Sequence, residues 1–299
     1  MNEIDSDIPI RGECDLAILM HRDVHFGGKF AFMLDYYRKS GRGAQQEFEV
    51  EQIEKIAIYQ ESLGSDLAPI LLSGADAEKV AKAKKCYQQL REIYQVAESP
   101  KNNFPRLIAD LILSEEEEPA EAIEAIVAHK NAIVPELLQL LKAEEFYDPL
   151  FPGYGQAPLL AAKCLGRIGD KRAIIALFQA IGEGDFNDDE TLFEAMRAIG
   201  APAKEFLMKV VQGMPLNNDN AKAASALLIF KDEEHVAPLC LQLLMREEMR
   251  RDPLFASYLS YVCEGLKSAS ERNSFIALAD DPKTPKSLKR EIETIAKSW

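Results

Sequence analysis

The chain has 299 residues, 47% of them apolar and 28% charged, which is enough to bury a sizeable core in one large domain or two ordinary ones. Asp and Glu outnumber Lys and Arg by 49 to 35, a formal net charge of −14 that opposes generic binding to phosphate backbones. The composition excludes disordered and collagen-like classes, and no run of 18 apolar residues is present to span a membrane.

The N-terminal stretch MNEIDSDIPIRGECD lacks a basic region followed by an apolar core, so no secretory signal is expected. Five widely spaced cysteines, Cys14, Cys86, Cys164, Cys240 and Cys263, form no CxxC pair. They read as reduced, mostly buried thiols of a cytoplasmic protein.

The first third reads as helices without strands. Asp15 to Arg38 has apolar residues at Leu16, Ile18, Leu19, Phe30, Met33 and Leu34, with Gly27-Gly28 as a break. Ser40 to Gly43 is a loop. Glu47 to Leu63 carries an apolar stripe through Val50, Ile53, Ile56 and Ala57, and Ala75 to Ala97 reads as a long amphipathic helix. Asn103 to Leu113 is a short apolar helix. The run Glu115 to Glu118 reads as an acidic linker, dividing a helical N-terminal region, 1–114, from a second region, 119–299.

His21 and His25 stand four apart in HRDVH. A zinc hydrolase of the zincin type needs Glu after the first His as general base, and Arg22 stands there instead. Two ligands do not make a zinc site, so no metal and no cofactor are expected, and the pair reads as polar residues near a helix end. Neither a phosphate-binding loop nor a nucleophile elbow occurs.

The second region repeats itself. In APLLAAKCLGRIGDKRAIIALFQAI a helix ends at Gly169, and Asp170 can cap the next. TLFEAMRAIGAPAKEFLMKVV puts Gly200 at that position 31 residues later, and Lys231-Asp232 follow after another 31. EAIEAIVAHKNAIVPELLQLL aligns Ala128 with Gly169 at a spacing of 41, which implies a ten-residue insertion. A looser copy begins at Pro253, and Lys283 to Trp299 reads as a polar terminal helix that caps the array. The phrase Ala161 to Ala173, with its Leu-Gly-x-Ile-Gly-Asp-x-Arg-Ala pattern, resembles the HEAT repeats of the phycobilisome-lyase type, over about residues 119–282.

That resemblance implies an all-α protein built as a right-handed α-α superhelix, a solenoid capped by its last helix. It also brings three activities into view. Di-iron hydroxylases of similar fold use His-Glu pairs, and no His-Glu dipeptide occurs here. The DNA glycosylases need a basic groove, which the net charge opposes. Chromophore lyases have no short signature to compare, so an enzyme or enzyme subunit stands as the alternative.

The leading expectation is a non-enzymatic scaffold that binds a protein partner carrying a basic segment, with neither nucleic acid nor membrane as partner. Two candidate surfaces follow. One is the concave face implied by the repeats, beginning at Lys171, Arg172, Lys204, Glu205, Glu234 and His235. The other is the insertion EFYDPLFPGYGQ, whose Phe146, Tyr147, Phe151 and Tyr154 would form a projecting aromatic edge. Its DPLFxxY phrase, 148–154, recurs 104 residues later at 252–258, which leaves helix entry open as the other reading of both copies.

Overall fold

The computed structural model describes residues 12–95, 103–183 and 186–299, with the side chains of 186 and 187 excepted, and among them every regular element is helical. The chain divides into two compact units, Met1–Ala161 and Ala162–Trp299.

The first unit opens with α1 (Glu13–His25) and α2 (Phe30–Arg38), separated at Gly27 and Gly28. Both glycines have positive φ, so the chain reverses where the sequence places the break. There follow α3 (Val50–Leu63), the single turn α4 (Ala68–Leu71), α5 (Ala75–Ile93), α6 (Phe104–Leu113), α7 (Ala120–Val127) and α8 (Val134–Leu141). The helix expected to run to Ala97 ends at Ile93, with Tyr94 and Gln95 in a turn, and residues 96 and 97 lie outside the described segment. The apolar stripes of α1, α2, α3 and α5 meet in one core around Ile18, Leu19, Met33, Ile53, Ile56 and Ala83. Leu150 and Phe151, from far along the chain, complete it.

The division between the units falls inside α9 (Ala157–Ile168). The second unit continues through α10 (Ile174–Ala180), α11 (Phe186–Ile199), α12 (Ala201–Val210), α13 (Asn218–Leu227), α14 (Val236–Leu244), α15 (Pro253–Val262), α16 (Ala269–Ala277) and α17 (Lys286–Ala296). Each helix pair matches one copy of the repeated phrase. Within this unit α13 packs on α15, α14 on α16 and α15 on α17, so equivalent helices of successive hairpins lie against each other.

The repeated phrase has a packing reason. A Cβ on Gly166 would stand 2.7 Å from the Ala195 Cα and 3.0 Å from its Cβ, so only glycine lets α9 and α11 approach this closely. Gly169 and Gly200 turn the chain in the left-handed region, with φ of 73° and 80°. The copy that has Lys231 instead makes its left-handed residue at His235, with φ of 70°. The terminal helix α17 buries Leu288, Ile292 and Ile295 against its neighbours and turns charged residues outward.

Candidate functional site

The first unit gathers two histidines, three tyrosines and a carboxylate into one connected cluster. α1 is continuous through both histidines, so His21 and His25 do share a face, with ring centroids 4.3 Å apart. Arg22 between them is wholly buried. Its guanidinium donates to Asp23 Oδ1 (2.5 Å), Asp66 Oδ1 (2.8 Å) and Gln60 Oε1 (2.5 Å), tying α1 to the end of α3 and the start of α4. The residue that replaces the zincin glutamate is thus a buried ion-pair hub. Among the described residues no group of three or more metal-ligating side chains is assembled.

His25 has both ring nitrogens engaged. The Pro149 carbonyl, 3.1 Å from Nε2, can only accept, so Nε2 carries the proton. Nδ1 then accepts from the Tyr87 hydroxyl at 2.8 Å. Burial lowers the His25 pKa to about 4, against the opposing pull of the Pro149 carbonyl and of Asp148. His21 is 2% exposed, and its pKa falls to about 2, first through burial and then through its neighbour His25. Its Nε2 has no hydrogen-bond partner among the described residues.

Around the histidines stand Phe26, Tyr36, Tyr37, Phe48, Tyr87 and Tyr154, with ring centroids 4.7 to 6.4 Å from at least one neighbour. Tyr36 donates to Glu115 Oε2 at 2.8 Å and accepts from the Gly43 amide at 2.8 Å. Tyr154 donates to Glu115 Oε1 at 2.9 Å. One carboxylate therefore holds two phenols. Burial is the main cause that raises the pKa of Tyr36, Tyr87 and Tyr154, and the Glu115 charge adds to it in each. Arg42 donates to the Ser114 carbonyl, while its buried Nη2 has no partner among the described residues. Gly43 forms the floor: a Cβ there would stand 2.3 Å from the Tyr154 ring.

The insertion does not project. Phe151 and Tyr154 are 4% and 9% exposed, and Phe146 and Tyr147 are half-buried. Two of the four aromatics expected to project, Phe151 and Tyr154, are instead buried within the first unit. Its first DPLFxxY copy is a tight turn, in which Asp148 accepts from the Leu150 amide at 2.9 Å and no helix follows until Ala157. Gly153, Tyr154 and Gly155 take φ of 88°, 56° and 82°, three left-handed residues in a row that stop a helix from forming. The second copy is a helix entry: Asp252 caps α15 by accepting from the Phe255 amide at 3.0 Å, and Pro253 begins it. Equally, Glu115 of the acidic run is no mere spacer. It lies within the first unit, on the two tyrosines, although the side chain keeps access to solvent.

The other expected site residues sit at or just before the starts of α10, α12 and α14 in the second unit. Lys171, Arg172, Glu205, Glu234 and His235 are exposed, and Lys204 is half-buried. Arg172 is held by Asp170 at 2.6 Å and Lys204 by Glu233 at 2.7 Å. The sequence reading passed over a ridge on α15. Leu254 and Tyr261 are 53% and 44% exposed, with half-buried Tyr258 between them, at i, i+4 and i+7. Its signal was available as the apolar outer face of that helix.

Comparison with protein-family models, with curated proteins and with solved structures finds no match for this chain.

Proposed function

We propose that the protein is a non-enzymatic binding scaffold, that the hairpins of its second unit are HEAT-like repeats, and that they present the α15 ridge to a partner protein. The observation that carries this reading is the ridge itself. Large apolar side chains are exposed on other helices too, among them Ile58 and Ile175, but α15, which buries Phe255, Ala256, Leu259 and Val262, lines up exposed Leu254, half-buried Tyr258 and exposed Tyr261 along one outer face. Aromatic and leucine side chains aligned on an exposed helix are the usual anchors of a protein interface. The charge distribution supports a partner with a basic segment. Of the 49 acidic residues 28 fall in the first unit with only 16 basic ones, so that unit carries nearly all of the net charge. The five cysteines, none of them disulfide-bonded, suit a cytoplasmic protein. No helix among the described residues is long and apolar enough to cross a membrane.

The test is affinity capture from cytosol with three baits: the native chain, Leu254→Asp/Tyr261→Asp, and Phe151→Ser/Tyr154→Ser. A specific protein held by the native bait and lost from the α15 variant, with that variant's thermal midpoint retained, is the expected result. Equal capture by the native and α15 baits would remove the ridge from the account.

A further inference from the structure

We infer that the cleft beside His25 and Tyr87 is a binding site for a small, planar organic carboxylate. This inference does not rest on the scaffold reading. The cleft lies within the first unit, between the C-terminal end of α1 and one face of α5, and is an open groove of about 620 Å³, within the size range of small-molecule sites. α5 contributes Lys84, Tyr87, Gln88 and Arg91, spaced i, i+3, i+4 and i+7, so all four point to one side. α1 contributes Asp23 and His25.

Of the four charges in this lining, Asp23 and Lys84 are paired with each other, whereas Glu92 and Arg91 make no ion pair among the described residues. Asp23 is taken by Arg22 at 2.5 Å and by Lys84 at 2.9 Å. Glu92 accepts from Gln88 at 2.8 Å. Arg91 makes no ion pair among the described residues, and its guanidinium lies 5.8 Å from the centre of the Tyr87 ring. A guanidinium presents a planar fork of donors that matches a carboxylate in two parallel hydrogen bonds. One guanidinium fork matches one carboxylate, and the acidic field of the unit, with Glu92 in the lining, disfavours a dianion such as phosphate. The body of the ligand meets the Tyr87 ring, the His25 ring set edge-on to it at 5.6 Å, and Val24. Two ring walls beside a fork of donors, in an otherwise polar lining, select a planar acid.

The wall is also held rigid. The Tyr87 hydroxyl is fixed on His25 Nδ1, and His25 is fixed by the Pro149 carbonyl, so binding needs little ordering of side chains.

The experiment is titration with benzoate, followed by the ligand's NMR line width and by the imidazole signals of the full chain. Inorganic phosphate and benzylamine serve as the other probes. Saturable benzoate binding with a Kd of about 1 mM is expected for a ligand of this size, with the His25 signals shifting. Arg91→Gln, an exposed position that leaves the thermal midpoint unchanged, should weaken it by about tenfold or more. The inference is overturned if benzoate fails to saturate by about 10 mM, if Arg91→Gln binds it equally, if the His25 signals stay still, or if benzylamine or phosphate binds in its place.

Discussion

Tyr154 shows how much a single residue can be asked to do in this chain. It holds a left-handed backbone, which costs a non-glycine residue about 1–3 kcal/mol, and in return its ring covers Gly43 and its hydroxyl reaches Glu115. Phe151 fills the core between α1, α2, α3 and α5. Truncating buried aromatics costs about 3–5 kcal/mol each, so Phe151→Ser/Tyr154→Ser should lower the thermal midpoint by about 10 °C or more. A midpoint within a degree or two of the native value would mean the segment is peripheral. His25 gives a pH dependence whose sign is fixed. Its pKa in the folded state, about 4, lies below the ordinary 6.5, so the unfolded chain binds more protons between those values. Stability is full above pH 6.5 and declines as the pH falls toward 4, by at most about 1.4 kcal/mol per unit for this one group. Urea midpoints at pH 7 and pH 5 should differ less in His25→Gln than in the native chain. Equal differences would show that His25 does not carry the effect.

At the scale of elements, the close contact of α9 and α11 is the most exposed to test. Gly166→Ala places a methyl against Ala195 and should cost about 1–3 kcal/mol, read as a lower urea midpoint, with Ala195→Gly recovering part of the loss. An unchanged midpoint in Gly166→Ala would mean that the two helices do not meet as described. The elements themselves were largely legible. Periodicity located α1, α2, α3, α5 and α6 to within a few residues, because each buries one stripe, and the repeated phrase located the hairpins of the second unit. What periodicity could not show was long-range pairing. Nothing in HRDVH indicates that His25 will meet Tyr87 and Pro149, 62 and 124 residues away. The insertion was misjudged for the same reason. Aromatics in a Pro/Gly loop look exposed unless one knows that the core of α1, α2, α3 and α5 lacks two side chains, which Leu150 and Phe151 supply. The two DPLFxxY copies differ because only the first is followed by Gly153 and Gly155 on either side of a left-handed Tyr154.

For the whole molecule, charge is divided between the units, whereas exposed apolar side chains occur in both. The first unit carries the acidity and a largely buried polar and aromatic cluster, and the second carries stacked hairpins with the aligned α15 ridge. A scaffold needs a stable frame and a surface that remains unsatisfied until a partner arrives, and α15 has that surface. The measurement that bears most directly on the account is amide hydrogen exchange of the full chain, alone and with its captured partner. The account predicts that added protection centres on α15 and on its neighbours α13 and α17, while 145–156 is already protected in the free protein. Protection that appears on 145–156 and leaves α15 unchanged would contradict it.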